Sequence, residues 1–139
     1  MATPIPRNHA AFTLDEIARA TSGERIGSVH EIVSVATDSR AVEKGSLYVA
    51  LRGDRLDGHT FVAQALAAGA AATLVHDRAA LPPGASGVVV GDTLRALGDI
   101  AALHRRRWTG RIVAITGSVG KTTTKELTFA ALRAAGANV

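Results

Sequence analysis

The stretch Ile112-Val113-Ala114-Ile115-Thr116-Gly117-Ser118-Val119-Gly120-Lys121-Thr122-Thr123-Thr124-Lys125-Glu126 constrains the fold more than any other part of this chain. A short β-branched run reads as a buried strand. It breaks at two glycines and restarts as a helix through Leu127, Ala130, Ala131 and Leu132. Strand, glycine loop, Lys-Thr and helix form the build of a phosphate-binding loop. Gly117 and Gly120 let the backbone turn tightly and aim N–H groups at phosphate oxygens, and the new helix points the positive end of its dipole at the same anion. Lys121 can reach the β- and γ-phosphates of a nucleotide, and the Thr122 hydroxyl can hold the accompanying Mg²⁺. The full pattern has a further glycine where Ile115 stands. The remaining Gly-x-x-Gly-Lys-Thr also fits a tight strand–helix turn with an exposed lysine. Because strand and helix both stand where the loop requires them, ATP or a relative is the expected ligand.

A chain of 139 residues accommodates one full domain comfortably and two complete ones poorly. Its composition, 47% hydrophobic and 20% charged, is that of a soluble globular protein able to bury a core. Without cysteine there is neither a disulfide framework nor a thiolate metal site. The formal net charge of +4 mildly favours anionic ligands, while an aromatic content of 4% argues against interleaved basic and aromatic residues for nucleic acid. No stretch approaches the ~20 apolar residues of a membrane span. Met1 to Asn8 lack the apolar core of a signal peptide. A cytoplasmic protein is the expectation.

From the start, Met1 to Ala11 reads as a frayed lead-in with two prolines. Thr13-Leu14-Asp15-Glu16 is a capping box opening a short helix with Leu14, Ile17 and Ala18 on one face, ending near Gly23. Glu31–Ala36 and Ser46–Leu51 are strand-like. Phe61–Ala68 is a helix stopped by Gly69, Ala72–His76 another strand, and Pro82–Gly87 the clearest linker. Val88-Val89-Val90 is a short strand, and Asp92 caps a helix carrying Leu94, Leu97, Ile100, Ala101 and Leu103. Alternating strands and helices predict an α/β architecture. The expected division is a domain over 1–84 and, over 85–139, a linker helix followed by the first strand, loop and helix of a second domain. Gly136-Ala137-Asn138-Val139 reads as a helix stop leading into another strand. A phosphate-loop domain needs several more strands, so the chain is expected to be the front end of a longer protein.

Two further stretches carry alternatives. Thr37-Asp38-Ser39-Arg40 follows the first strand, where Asp and Ser most often bond nearby backbone N–H groups in a turn. Arg52-Gly53-Asp54-Arg55-Leu56-Asp57-Gly58-His59 stands between a strand end and a helix, the usual place of ligands in α/β proteins, though a solvated loop is equally ordinary. His104-Arg105-Arg106-Arg107-Trp108 ends a helix, where cations complement the dipole more often than they form an anion site. The five histidines show no metal-ligand spacing. Four read as surface residues, with His59 a candidate for the ligand loop.

From Phe12 onward these stretches resemble the Mur ligases, ATP-dependent amide ligases that build the peptidoglycan stem peptide. The resemblance rests on Thr37-Asp38-Ser39-Arg40, Gly45 to Gly53, Asp57-Gly58-His59-Thr60-Phe61, Ala67 to Ala72 and Thr116-Gly117-Ser118-Val119-Gly120-Lys121-Thr122. It accounts for the absent glycine, since the family uses Thr-Gly-x-x-Gly-Lys-Thr. Within the family, Thr116 to Glu126 and Asp92 to Gly98 look most like the D-alanyl-D-alanine-adding branch. Ser118 and Val119 point away from the branch that adds the third amino acid.

The resemblance implies a small N-terminal domain that holds the uridine diphosphate (UDP) end of a UDP-N-acetylmuramoyl-peptide, followed by the start of a parallel-sheet ATP domain. Thr37 and Ser39 fall on positions that contact the nucleotide in relatives, and Asp54, Arg55 and Leu56 on a second contact loop. Gly117, Ser118, Val119, Gly120, Lys121, Thr122 and Thr123 match the ATP loop, with Lys121 the catalytic cation and Thr122 the Mg²⁺ ligand. The implied reaction turns the nucleotide-peptide carboxylate into an acyl phosphate, which the amine of D-alanyl-D-alanine attacks. The family's later metal-binding residues, modified lysine and dipeptide-binding domain lie beyond Val139, so these residues alone are expected not to ligate. A monomer is expected. Another Mur ligase, a stand-alone uridine-nucleotide-binding module, or an unrelated phosphate-loop kinase or GTPase remain as alternatives.

Overall fold

The computed structural model describes residues 11–54, 56–137 and 139; the expected lead-in before Ala11, the candidate contact residue Arg55, and Asn138 in the expected final strand lie outside them. The chain divides into two compact units, Met1–Trp108 and Thr109–Val139.

The first unit opens with β1 (Phe12–Thr13), α1 (Leu14–Thr21) and β2 (Glu24–Ile26). The capping box forms as read: the Glu16 N–H donates to Thr13 Oγ1 at 3.2 Å, and the Thr13 N–H donates back to Glu16 Oε2 at 2.8 Å. β3 (Glu31–Ile32) and β4 (Ser34–Ala36) follow, then β5 (Ser46–Val49), α2 (Val62–Ala67), β6 (Ala72–Val75), β7 (Gly87–Val89) and α3 (Thr93–Arg107). The single strand expected over Glu31–Ala36 is two. Ile32 pairs with Phe12 in a small antiparallel ribbon, while Val35 pairs with Leu47 in the main sheet, so the chain changes sheets at Val33.

The main sheet has the order β2-β7-β6-β5-β4, with β4 to β7 parallel and β2 antiparallel at one edge. Its central strands are covered on both faces, so β5 and β6 are buried at every position and read as mostly apolar rather than alternating. Leu47, Val49, Ala72, Leu74, Val88 and Val90 turn to the side of α1 and α3, where they meet Leu14, Ile17 and Ile100. Tyr48, Ala50 and Val75 turn to the other side, against Val62 and Ala65 of α2. The result is a three-layer α/β unit. The glycine stop of α2 holds, with Gly69 at φ +109°.

This unit continues past the boundary expected at residue 84. β7 is hydrogen-bonded between β6 and β2, and α3 packs on α1. Pro82–Gly87 therefore returns the chain to its own sheet instead of joining two domains. Arg107, the last residue of α3, reaches back to the start of the unit: Nη2 bonds Glu16 Oε1 at 2.6 Å, Nη1 bonds the Ala11 carbonyl oxygen at 2.6 Å, and the guanidinium lies 4.9 Å from the Phe12 ring centroid. Arg107 of the basic run thus ties the end of α3 to the start of α1.

The second unit contains α4 (Lys121–Ala134), which ends in a turn with Gly136 at φ +82°. The strand expected at Ile112–Ile115 is absent. A strand exists only through a pairing partner, and none of the described strands pairs with this run. Ile112 and Val113 are exposed.

Candidate functional site

The parallel strands β4 and β5 open their carboxyl ends on the same edge of the sheet, and each is followed by a 3-10 turn capped by an aspartate. Asp38 Oδ1 accepts the Arg40 N–H at 2.9 Å, starting Ser39–Ala41. Asp57 Oδ1 accepts the His59 N–H at 3.0 Å, starting Gly58–Phe61, which runs directly into α2. Between the two turns lies a cleft of about 450 Å³. Tyr48, Leu51, Leu56 and Phe61 give it an apolar wall; Thr37, Asp38, Ser39, Arg40 and Gln64 give it a polar rim.

Three of the residues implied by the family resemblance, Thr37, Ser39 and Leu56, come together here. Asp54 is exposed on the following loop and is not among the lining residues. Sequence reading missed Tyr48, Leu51, Phe61, Gln64 and Arg40 as site residues. Tyr48 reads as a core strand position, and its ring is indeed buried, but its hydroxyl donates to the Gly58 carbonyl oxygen at 3.0 Å and so fixes the second turn. Burial, with the Asp38 and Asp57 carboxylates nearby, raises the phenol above its ordinary pKa and keeps it a donor.

Arg40 and Asp38 form a fork. Arg40 Nε lies 2.9 Å from Oδ1 and 3.2 Å from Oδ2, and Nη2 lies 2.7 Å from Oδ2. The Arg40 side chain and its backbone N–H together hold the Asp38 carboxyl at a pKa of about 2.

His59 does not line the cleft. Nδ1 faces Asp57 Oδ1 at 2.6 Å, and Nε2 accepts the His76 N–H at 3.0 Å, which makes it the Nδ1–H tautomer. The His76 ring packs edge-on at 4.0 Å. His59 is therefore a brace between the second turn and the end of β6. Asp57 is held below the usual carboxylate range, first by the His59 N–H and then by its ring.

In the second unit, Gly120 at φ +79° starts α4 with no side-chain cap. The first intrahelical bond runs from the Thr124 N–H to the Gly120 carbonyl oxygen at 2.9 Å, leaving the N–H groups of Lys121, Thr122 and Thr123 pointing out of the helix end. The Lys121 ammonium donates to the Gly117 carbonyl oxygen. Lys121, Thr122 and Lys125 line a shallow cavity with Val113 and Ile115. An uncapped helix start, two lysines and a hydroxyl fit a nucleotide triphosphate with its Mg²⁺. Among the described residues, no three His, Cys, Asp or Glu side chains gather into a group that could hold a metal.

The fold defines a three-layer α/β protein with a strand-end cleft, followed by a glycine–lysine loop at a helix start. The chain belongs to the Mur ligase family: the family model described as "Mur ligase family, catalytic domain" matches residues 31–105. It is 41% identical over 126 residues to the UDP-N-acetylmuramoyl-tripeptide–D-alanyl-D-alanine ligase of Escherichia coli, covering 91% of this chain and 27% of the relative. Among solved structures, MurF from Acinetobacter baumannii superposes with a TM-score of 0.78 at 36% identity, covering 91% of this chain and 28% of that one. MurF ligase from Thermotoga maritima in complex with ADP superposes with a TM-score of 0.63 at 32% identity, covering 72% and 23%. The chain thus spans about a quarter of the length of these relatives. No helix among the described residues is long and apolar enough to cross a membrane.

Proposed function

We propose that this chain is the substrate-holding and ATP-loop portion of a cytoplasmic ligase that adds D-alanyl-D-alanine to UDP-N-acetylmuramoyl-tripeptide during peptidoglycan synthesis. The observation that carries this reading is the cleft that gathers Thr37, Ser39 and Leu56, in a chain that also bears Gly117–Thr123 at a helix start. A kinase or GTPase has no need of the first; a plain nucleotide-sugar module has no need of the second.

In this reading the planar uracil lies against the apolar wall of Tyr48, Leu51, Leu56 and Phe61, and the Thr37 and Ser39 hydroxyls fix its orientation. Asp54, on the loop beyond, and Arg55 contact the same ligand. Gly117, Ser118, Val119, Gly120 and Thr123 offer backbone and hydroxyl donors to phosphate oxygens, and the N-terminal end of α4 adds its partial positive charge. Lys121 leaves the Gly117 carbonyl oxygen for the phosphates, where its charge offsets that developing on the transferred group. Thr122 supplies an oxygen to Mg²⁺. Bound ATP supplies the phosphoryl group that converts the tripeptide carboxylate to an acyl phosphate, from which the dipeptide amine displaces phosphate. The functional division is a UDP-holding domain followed by the ATP domain, with the protein acting as a monomer.

Binding measured with two ligands and one variant tests the reading. The 139-residue chain is expected to bind UDP-N-acetylmuramoyl-tripeptide, and Mg²⁺-ATP binding is measured on a chain of the relatives' length, because a phosphate loop without the remaining sheet is not expected to hold ATP firmly. Lys121→Ala should abolish ATP binding and leave the uridine ligand untouched. Loss of both ligands in the variant, or indifference of the wild type to the uridine ligand, contradicts the proposal.

A further inference from the structure

Arg40 is the one cationic side chain among the described residues lining the cleft. Its side chain is 83% exposed and paired with Asp38. A guanidinium presents two edges to a planar oxyanion, Nε with Nη2 and Nη1 with Nη2. Asp38 occupies the first edge through three contacts of 2.7 to 3.2 Å. Asp38 is itself anchored, since Oδ1 accepts the Arg40 N–H and caps the turn. Among the described residues no hydrogen bond reaches Nη1, so the second edge stays available. A free arginine on a surface samples many rotamers and gives up that freedom on binding; the pairing with Asp38 narrows that sampling beforehand. Because the pair is neutral as a unit, it draws anions weakly from a distance. It recognises an oxyanion that another part of the ligand has already brought near.

We propose that Arg40, aimed by Asp38, anchors the diphosphate of the ligand and sets the preference of this cleft for UDP over uridine. This inference rests on the uridine-nucleotide reading given above. The apolar wall carries the base, and the free guanidinium edge reads the phosphates.

The test is a set of amide-resolved NMR titrations of the full chain with uridine and with UDP, in the wild type, Arg40→Gln and Arg40→Lys. A charge-assisted bidentate contact at an exposed site is worth roughly tenfold in affinity. Wild type should bind UDP about tenfold tighter than uridine. Arg40→Gln should bring UDP down to the uridine value with uridine unchanged, and Arg40→Lys, which keeps the charge without the fork, should fall between. The exposed position makes all three fold alike, and matching spectra of the free proteins check this. If Arg40→Gln keeps the wild-type preference for UDP, the anchor is refuted while the uridine reading stands. If the wild type binds neither uridine nor UDP, the uridine reading falls, and the anchor with it.

Discussion

Gly58→Ala replaces one hydrogen by a methyl group at a position where backbone leaves no room for it. A Cβ there would lie 2.7 Å from the Leu51 carbonyl oxygen, 2.8 Å from the Leu51 nitrogen and 3.1 Å from the Ala50 carbonyl carbon. All three belong to the segment leaving β5, so no flexible side chain can swing away. Overpacking of this kind costs about 1–3 kcal/mol. Relief by moving the turn breaks two hydrogen bonds, from the Gly58 N–H to the Leu51 carbonyl oxygen at 2.8 Å and from Tyr48 Oη to the Gly58 carbonyl oxygen at 3.0 Å. Each contributes a net ~0.5–1.5 kcal/mol. By either route the expected loss is about 1–3 kcal/mol, which in a unit of this size lowers the melting temperature by roughly 5–15 °C. Thermal unfolding followed by circular dichroism reads this directly. Gly98→Ala is the control, because nothing stands within 4 Å of a Cβ there and the site is an exposed helix interior. It should gain ~0.5–1 kcal/mol from helix propensity alone. A Gly58→Ala protein that melts within about 2 °C of the wild type would refute the close approach of the second turn to β5.

Two further outcomes concern stability and pH. Asp38 should titrate near pH 2, followed by carboxyl ¹³C shifts, against an ordinary value of 3.8. Its folded value is depressed, so its contribution is present above the ordinary value and fades as pH falls toward 2; Arg40→Gln should move the titration upward, and an unchanged midpoint would contradict the fork. Thr93→Val removes a buried hydroxyl that donates to the Ala50 carbonyl oxygen at 2.8 Å. It should cost about 1–2 kcal/mol in urea unfolding, and no loss would mean that the bond joining α3 to the end of β5 contributes nothing.

What the sequence announced was what local chemistry determines. Thr13 and Glu16 cap α1, Asp92 caps α3 by accepting the Leu94 and Arg95 N–H groups, and Gly69 stops α2. β5, β6 and β7 were legible because burial on both faces leaves a mostly apolar run at each. Elements whose existence depends on a distant partner were not. β2 is Glu24-Arg25-Ile26, a charged edge strand formed only because Val88 and Val89 lie beside it. Ile112–Ile115 has the residues of a strand but no partner among the described residues. His59 and Tyr48 show the same limit at the site: each residue type was visible, but not that His59 would lock to Asp57 and His76, or that the Tyr48 hydroxyl would hold Gly58. The lining of the cleft by Phe61 and Gln64 depends on how α2 follows the second turn, which no local signal encodes.

The measurement that bears most directly on the central claim is an amide-resolved NMR map of the full chain titrated with UDP-N-acetylmuramoyl-tripeptide. Shifts concentrated at Thr37–Arg40 and Leu56–Gln64, with Gly117–Thr123 unmoved, are the expected result. A folded protein whose cleft amides stay still at millimolar ligand, or whose shifts fall on the loop instead, would contradict the assignment of the uridine ligand to this cleft.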